Sequence, residues 1–373
     1  MSSEKKAKKN GRGKKAALII IFILLLLIAG GYIAVTQLLD FEEEEARPEE
    51  EFVDVLSEDD DEGTIDTLNE LRDAGDLSTI LKEWAMSTDD SGLMRSDKVK
   101  NILIIGLDKS EYNSDVIMLL SINTETKRIY LSSLFRDSYT YINTSSGSTF
   151  AKINAAYGNG GAKLLCETVE RDYKIKIDNY VSINFQSFID VVDIIGGVSV
   201  PVQQYEADAI RLENCEISSV GDNVLLNGEQ ALWYCRIRKC DVDGDVSRTR
   251  RQRAFITALV DRSRELTLSQ IKPILSTLME YVKTDFTSSE LVSLATQALI
   301  GKWYGYKIES DSFPQTEHRL DYLGYAWVWI VDYPAAAQDL QNRIYGESNI
   351  TLAENRLTAI DVVNQGLTGT ANP

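Results

Sequence analysis

The chain is 373 residues long and acidic, with 57 Asp and Glu against 39 Lys and Arg and a formal net charge of −18. Its only histidine, His318, lies in a late polar segment, which disfavours histidine-dependent catalysis. The sequence contains no Walker phosphate loop, nucleophile-elbow serine or metalloprotease helix motif, so those enzyme classes are excluded.

The N-terminus predicts a membrane anchor. Residues 1–15 carry seven Lys or Arg and one Glu, a charge of +6 that leaves −24 for the rest of the chain. The uncharged run at residues 16–39 exceeds the roughly 7–15 apolar residues of a signal-peptide core and reaches the roughly 20 that span a bilayer. The positive-inside rule then predicts a basic cytoplasmic tail, a single-pass signal anchor in the cell membrane and an extracellular remainder.

The segment after the predicted anchor is an acidic stalk. From residue 40 to 62 acids dominate and few apolar residues are present, so charge repulsion should keep the chain extended. Residues 65–90 regain the apolar periodicity of short helices. We therefore predict a stalk with short helices over residues 40–96 and one folded extracellular domain over residues 97–373, which has no internal repeat.

The first half of the folded part alternates between strand and helix patterns. The apolar runs VKNILIIG, VIMLLSI and RIYLSSL follow within hairpin reach and predict adjacent buried strands. A helix is predicted through residues 160–173, opened by the turn GNGGAK, and YVSINF is typical of another strand. The next helix, through Phe188 and Ile195, should stop at Gly196 and Gly197.

Capping patterns predict two later helices. Asn227 with Gln230 precedes ALWYCRIR, and Thr287 with Glu290 precedes another apolar helix. The late aromatic segments WYGY and YAWVWIVDYP could stack on sugars or pack in strands, and the C-terminal part should complete the sheet. The whole pattern indicates a mixed α/β domain.

Four cysteines lie in the part predicted to be exported, where disulfides could form. None has the paired spacing of a zinc site or a redox motif. One or two disulfides of unknown pairing, or small buried thiols, both remain open for Cys166, Cys215, Cys235 and Cys240.

Charged residues gather at the ends of the first predicted strands. Asp108 closes the first strand and Asp115 precedes the second, so both should face one rim of the sheet. Carboxylates placed in this way can hold Mg²⁺ beside substrate phosphates, although acids in turns also commonly cap backbone amides. Arg136 and Asp137 follow the third strand and Lys152 comes soon after, which adds cations at the same rim.

The run RIRKCDVDGDVSRTRRQR, residues 236–253, places six arginines, one lysine and three aspartates together. Guanidinium groups bind phosphate oxygens in pairs, so the run indicates a site for a multiply charged phosphate ligand. An apolar helix face follows directly and places the arginines near a helix N-terminus, which itself favours anions. The alternative is a solvated helix end whose charges are paired with neighbouring acids.

The ordered segments NILIIGLD, SDVIMLLSINTETKRIYLSSLFRD, KINAAYGNGG, LNGEQALWYCRIR and GDVSRTRRQR resemble the LytR-CpsA-Psr family over residues 97–265. The resemblance implies an α-β-α sandwich, with helices on both faces of a mixed central sheet. It also implies an Mg²⁺-dependent transferase. Such an enzyme moves a teichoic acid, capsule or other wall polysaccharide from a polyprenyl-pyrophosphate carrier to a peptidoglycan hydroxyl.

The resemblance also implies roles for individual residues. Asp108 and Asp115 would be the Mg²⁺-associated acids, and Asp137 and Asp245 would orient arginines or accept a proton. Catalysis would rest on Arg136, Asp137, Arg238 and Asp245. The residues implied to contact pyrophosphate are Arg136, Lys152, Arg236, Arg238, Arg248 and Gln252, and Arg251 also matches a family position.

The chain departs from the family near the predicted rim. Arginines that the family often has beside the two acids are replaced by Lys109 and Ser110 after Asp108 and by Asn113 and Ser114 before Asp115. Phe135 stands where the family tends to have proline before the arginine. The resulting rim is less cationic, so phosphate affinity or polymer choice should differ.

The family buries its lipid tail inside the domain, and plausible lining residues are Phe185, Phe188, Val191, Val192, Ile195 and Phe255, each of which ordinary core packing explains equally well. A module that binds or hydrolyses polyprenyl (pyro)phosphate without ligase activity is the alternative function. Membrane lipid is an expected partner. Nucleic acid is not, because a cytoplasmic tail of about 15 residues is too short for a nucleic-acid-binding fold.

Overall fold

The computed structural model describes residues 63–108, 110–144, 147–238, 240–241, 245–263, 282–323 and 327–366. The helices within these ranges are α1 Gly63–Asp73, α2 Gly75–Met86, α3 Ala155–Tyr173, α4 Phe185–Ile194, α5 Gln204–Leu212, α6 Gly228–Arg236, α7 Asp245–Ser263, α8 Ser288–Ile300, α9 Tyr333–Tyr345 and α10 Ala359–Asn364. The strands are β1 Val99–Leu107, β2 Ser114–Asn123, β3 Arg128–Leu134, β4 Tyr139–Thr144, β5 Gly147–Lys152, β6 Asn179–Ile183, β7 Val198–Val202, β8 Gly221–Leu226, β9 Lys283–Thr284, β10 Lys307–Phe313, β11 Arg319–Leu323 and β12 Trp327–Val331.

A six-stranded mixed sheet in the order β10-β3-β2-β1-β6-β9 forms the centre of the domain. The three predicted adjacent strands are β1, β2 and β3, and they pair antiparallel. The helix α3 connects to β6, which returns parallel to β1. Strands β9 and β10 extend the two edges, so the C-terminal part contributes to the sheet as predicted.

Both faces of this sheet are buried. Successive side chains of its strands point to opposite faces, and on each face they enter a separate hydrophobic core. In β2, Met118 and Leu120 enter the core beneath α4, α6, α7 and α8, whereas Ile117 and Leu119 enter the core beneath α1, α2, α3, α9 and α10. Burying one such side chain stabilises the fold by about 1.5–3 kcal/mol. The predicted mixed sheet with helices on both faces is confirmed.

The two short helices before the predicted domain boundary are part of this packing. Leu68 and Leu71 of α1 and Leu77 and Leu81 of α2 are buried in the second core. The compact part of the chain therefore extends on the N-terminal side of residue 97.

The predicted cytoplasmic tail, membrane anchor and first part of the stalk lie outside the described residues. No helix in the described part is long and apolar enough to cross a bilayer.

The predicted helix boundaries follow from local chemistry. The Asn227 side chain accepts a hydrogen bond from the Gln230 amide at 2.9 Å while the Gln230 side chain accepts one from the Asn227 amide, which forms the predicted cap. Gly196 and Gly197 adopt φ values of +81° and +86° after α4, which a residue with a Cβ rarely adopts. Helix α3 begins earlier than predicted and contains a break within its glycine-rich segment.

The cysteines are separate in the fold. Cys215 and Cys235 are buried, Cys166 is half-buried and Cys240 is exposed. Within the described residues no disulfide joins any two of them, and only Cys215 and Cys235 are small buried thiols of the kind that the second interpretation describes.

Candidate functional site

The site lies at one edge of the central sheet. Strands β1 and β2 are antiparallel, β2 and β3 are antiparallel, and β1 and β6 are parallel. The ends of β1, β3 and β6 and the start of β2 therefore meet at the same rim. This pairing brings Asp108, Asp115 and Arg136 to one edge, as their positions after or before strands predicted.

A cavity opens at this rim and has two kinds of lining. Its apolar wall consists of Leu107, Val116, Ile183, Phe185, Phe188 and Leu232. Its polar end consists of Asp115, Asn184, Arg236, Arg248 and Gln252, and Gly106 and Cys235 complete the lining. The arrangement matches an amphipathic ligand with an anionic head and an apolar chain.

Asp115 fixes two arginines at the polar end of the cavity. Its carboxylate accepts hydrogen bonds from Nη1 of Arg136 and from Nη1 of Arg236, the latter at 2.5 Å. The Arg236 guanidinium also lies 4.5 Å from the Phe185 ring centre and 5.6 Å from that of Trp233. A guanidinium held by a carboxylate and by aromatic faces is oriented before any ligand binds.

Asp137 is fully buried and is the centre of a second group of charges. Its Oδ2 lies 2.8 Å from Nη2 of Arg238, and its Oδ1 lies 3.1 Å from Nζ of Lys152. Burial alone would raise the pKa of this carboxyl, but the charges of Lys152, Arg136, Arg238 and Arg248 together lower the pKa well below its ordinary value. Asp137 is therefore an ionised counter-ion for these cations at any physiological pH.

Neighbouring strands place this second group. Lys152 is the last residue of β5 and pairs with Tyr139 of β4, two positions after Asp137. The Asp137 carbonyl accepts the Trp329 amide of β12 at 3.0 Å, so the β11–β12 hairpin is attached directly to the site. Phe135, where the family tends to have proline, packs with its ring centre 5.3 Å from that of Trp329.

Helix α7 supplies the remaining predicted contacts. Arg248 and Gln252 are one helical turn apart, are both buried and both line the cavity. The Gln252 amide also donates to the Cys235 carbonyl of α6 at 3.4 Å. Asp245 begins this helix, but its side chain lies outside the described residues, so its predicted role stays a prediction.

Arg250 and Arg251 of the same run have partners away from the cavity. Arg251 is buried and bonds to Asp241, to Glu206 at 3.2 Å and to the Ile237 carbonyl at 2.5 Å. It thus fixes the backbone between the two site arginines that flank Ile237. Arg250 is exposed and donates to the Ser247 hydroxyl at 3.0 Å.

Sequence reasoning did not identify Glu206 or Asp241 as partners of Arg251. Asp241 is one of the three aspartates in the arginine run, whereas nothing in the sequence distinguishes Glu206 among the 57 acids. The cavity residues Leu232 and Ile183 were missed for a similar reason, because an apolar residue that lines a cavity has the same pattern as one in a core.

The two acids predicted to associate with Mg²⁺ have different surroundings. Asp115 lines the cavity, and its two carboxylate oxygens accept hydrogen bonds from Arg136 and Arg236. Oδ1 of buried Asp108 accepts hydrogen bonds from the Ser110 hydroxyl at 2.8 Å and from the Tyr112 and Asn113 amides at 3.1 and 3.3 Å. Asp108 therefore holds the turn that leads to Asp115. Mg²⁺ often takes only one or two carboxylates beside substrate phosphates, and each carboxylate oxygen can accept a second contact, so Asp115 is the acid that would fit the ion.

The predicted lipid-lining residues divide into two groups. Phe185 and Phe188 line the cavity. Val191, Val192, Ile195 and Phe255 belong to the buried core on this side of the sheet, with the Phe255 ring centre 4.9 Å from that of Phe188. Core packing is thus the better description of these four residues.

Comparison with known proteins connects this geometry to a family. The sequence matches the LytR_cpsA_psr family over residues 72–343. It is 34% identical over 245 residues to Biofilm regulatory protein A of Streptococcus mutans, covering 61% of this chain and 59% of that protein. It is 37% identical over 191 residues to the polyisoprenyl-teichoic acid–peptidoglycan teichoic acid transferase TagU of Halalkalibacterium halodurans, covering 50% of this chain and 60% of that protein.

The fold has a counterpart among solved structures. The crystal structure of protein gbs0355 from Streptococcus agalactiae superposes with a TM-score of 0.59 and 27% identity, covering 74% of this chain and 97% of that one. The alignments to the two relatives span about three-fifths of their length. Because the family match covers more than half of the chain and contains the sheet rim, the cavity and the arginine run, the chain belongs to the LytR-CpsA-Psr family.

Proposed function

We propose that the protein is a transferase that moves a glycopolymer from a polyprenyl-pyrophosphate carrier to a hydroxyl group of peptidoglycan. The observation that carries this proposal is the cavity, which joins an apolar wall to a cationic end. Polyprenyl pyrophosphate has both required parts, a charged head and a long apolar chain. Similarity to TagU, whose name describes transfer from polyisoprenyl-teichoic acid to peptidoglycan, supports teichoic acid or a related wall polysaccharide as the polymer.

In the proposed reaction, an acceptor hydroxyl oxygen attacks the phosphorus that carries the glycopolymer. A new O–P bond forms, the bond from that phosphorus to the bridging oxygen breaks, and polyprenyl monophosphate leaves with the acceptor proton. Charge on the phosphate oxygens would be neutralised by Arg236, Arg238 and Arg248. Because the pKa of Asp137 is lowered, this acid is a poor proton acceptor, and we assign it to orienting Arg238 and Lys152.

Mg²⁺ is the proposed cofactor, and when bound beside the substrate phosphates it would neutralise part of their charge. Asp115 would provide the protein ligand, because its carboxylate lines the cavity. Asp108 would support the site through the turn that it holds between β1 and β2.

We also propose that residues 16–39 anchor the protein in the cell membrane with the folded domain outside. This topology would place the cavity in the compartment that contains peptidoglycan. It would also keep the site near the bilayer in which the carrier lipid is dissolved.

The test uses full-length protein in detergent with a labelled polyprenyl-pyrophosphate saccharide, peptidoglycan fragments and Mg²⁺. Label in the acceptor and release of polyprenyl monophosphate are both measured. Arg238→Ala removes a charge-assisted contact worth about 1.5–3 kcal/mol, so transfer should fall roughly ten- to hundredfold. Arg250→Ala is the matched control, and its exposed position predicts a change within about twofold.

Other products would contradict the proposal in distinct ways. Monophosphate release without labelled acceptor would indicate a hydrolase. Tight carrier binding with neither product, across several donors and acceptors, would indicate a binding module. An equal loss of transfer in Arg238→Ala and Arg250→Ala would show that the effect does not come from contact at the site.

A further inference from the structure

We infer that Glu317, His318 and Asp339 form a second metal site, separate from the cavity, that takes Zn²⁺ or a similar transition-metal ion. One possible ligand atom from each residue lies within 4.8 Å of the others. The His318 Nε2 and Asp339 Oδ2 atoms are 2.9 Å apart, a separation that also suits two neighbouring ligands of one ion. The inference does not depend on the transferase function.

The backbone around His318 is fixed from both sides. Its amide donates to the Gln315 carbonyl at 3.0 Å, and its carbonyl accepts the Asp332 amide at 3.0 Å. The next residue, Arg319, lies over the rings of Phe135 and Trp329 at 4.5 and 4.8 Å. The imidazole is therefore presented by a turn with little freedom to move, as a preformed ligand requires.

Asp339 is presented by an equally rigid element. It lies within α9, and the next two residues, Leu340 and Gln341, are completely buried. The side chain itself is 40% exposed and that of His318 is 21% exposed, so an ion can reach both from solvent.

The negative charges of this cluster favour the binding of a cation. Within the described ranges, neither Glu317 nor Asp339 forms an ion pair with a lysine or arginine. Arg343, one turn after Asp339 in α9, is paired instead with Asp311 at 3.4 Å. Two carboxylates held this close repel each other, and a bound divalent cation would remove that repulsion.

The types of ligand atom in this cluster indicate which metal ion would bind. One imidazole nitrogen with two carboxylates suits Zn²⁺ and its transition-metal neighbours, whereas Mg²⁺ and Ca²⁺ prefer oxygen ligands alone. The ion would clamp the turn before β11 to α9. Because β12 of the same hairpin bonds to the Asp137 carbonyl, the clamp would stiffen one wall of the candidate active site.

The test is calorimetric titration of Zn²⁺ into full-length protein whose affinity tag has been removed. The background is Cys240→Ser, because Cys240 is an exposed thiol that could bind Zn²⁺ itself. We expect His318→Ala and Asp339→Asn each to weaken binding at least about tenfold. Glu317→Gln should have a smaller effect because this residue is exposed, and Asp321→Asn, an exposed acid in β11, should have none.

Thermal unfolding gives an independent measurement. Zn²⁺ should raise the melting temperature of the background protein but not that of His318→Ala, since binding to the folded state alone stabilises it. No Zn²⁺ binding, or binding of equal strength in the background and in His318→Ala, would overturn the inference. Binding that is lost in Asp115→Asn but kept in His318→Ala would also overturn it, because the ion would then lie in the cavity.

Discussion

Asp137→Asn should destabilise the protein strongly, although asparagine and aspartate have nearly the same volume. The carboxylate is completely buried and lies 2.8 Å from Arg238 and 3.1 Å from Lys152. The substitution takes away the counter-ion that buried Lys152 shares with Arg238, and breaking a buried pair in this way costs about 3–5 kcal/mol. We expect the free energy of unfolding at neutral pH, measured by urea denaturation, to fall by about that amount.

The same comparison has a predictable pH dependence. Burial opposes ionisation of Asp137, but Lys152 and the neighbouring arginines lower its pKa in the folded state overall. A carboxyl with a lowered folded pKa stabilises the protein above its unfolded pKa of about 3.9, and this stabilisation is lost as the pH falls through the folded value. The difference between the two proteins should therefore be constant from neutral pH to about pH 4 and shrink below it.

Asp321→Asn is the control, because Asp321 is an exposed acid and its loss should change stability by no more than about 0.5 kcal/mol. A loss below about 1 kcal/mol for Asp137→Asn, with a native circular dichroism spectrum, would refute the argument that this carboxylate holds Lys152 and Arg238 together. A difference that grew as the pH was lowered would refute the assigned direction of the pKa shift.

Three further changes test other parts of the structure. Arg251→Met should lower the free energy of unfolding by about 3–5 kcal/mol, because it leaves its buried acidic partners without a counter-ion, and urea denaturation measures this. Phe188→Ala should weaken binding of a long polyprenyl phosphate about tenfold or more while leaving a short-chain phosphate unaffected, as measured by calorimetry, because Phe188 lines the apolar wall. Burial, opposed by a hydrogen bond from Thr140, raises the pKa of Asp172 to about 7, so stability should fall as the pH rises from about 4 through about 7. Asp172→Asn should remove that fall in urea denaturation at a series of pH values.

The sequence was sufficient to predict the parts of the site that local chemistry determines. Adjacent antiparallel strands put Asp115 and Arg136 at the same rim because each stands at the end of a short apolar run. The capping residue Asn227 marks the start of the helix that ends at Arg236. These positions depend on neighbours only a few residues away, so they could be predicted from the sequence alone.

The pairing of charges across the chain could not be predicted in this way. Asp137 and Arg238 are 101 residues apart, and Glu206 and Arg251 are 45 residues apart. Such pairs depend on how helices and strands pack, and the sequence does not show which of its many acids will lie beside a given arginine. The sequence also could not separate Phe188 from Phe255. Their rings are in contact, yet only Phe188 lines the cavity.

The distribution of charge explains how an acidic protein can bind an anionic ligand. Among the described residues, five cations, Arg136, Lys152, Arg236, Arg238 and Arg248, outnumber the three acids Asp108, Asp115 and Asp137 at this rim. Outside the basic tail, by contrast, the chain as a whole carries −24. Surface charges act over about 10 Å at 0.1 M salt, whereas buried charges are screened much less. An anionic polymer would thus be repelled along most of the surface and attracted only where the rim of the sheet exposes its arginines to the cavity.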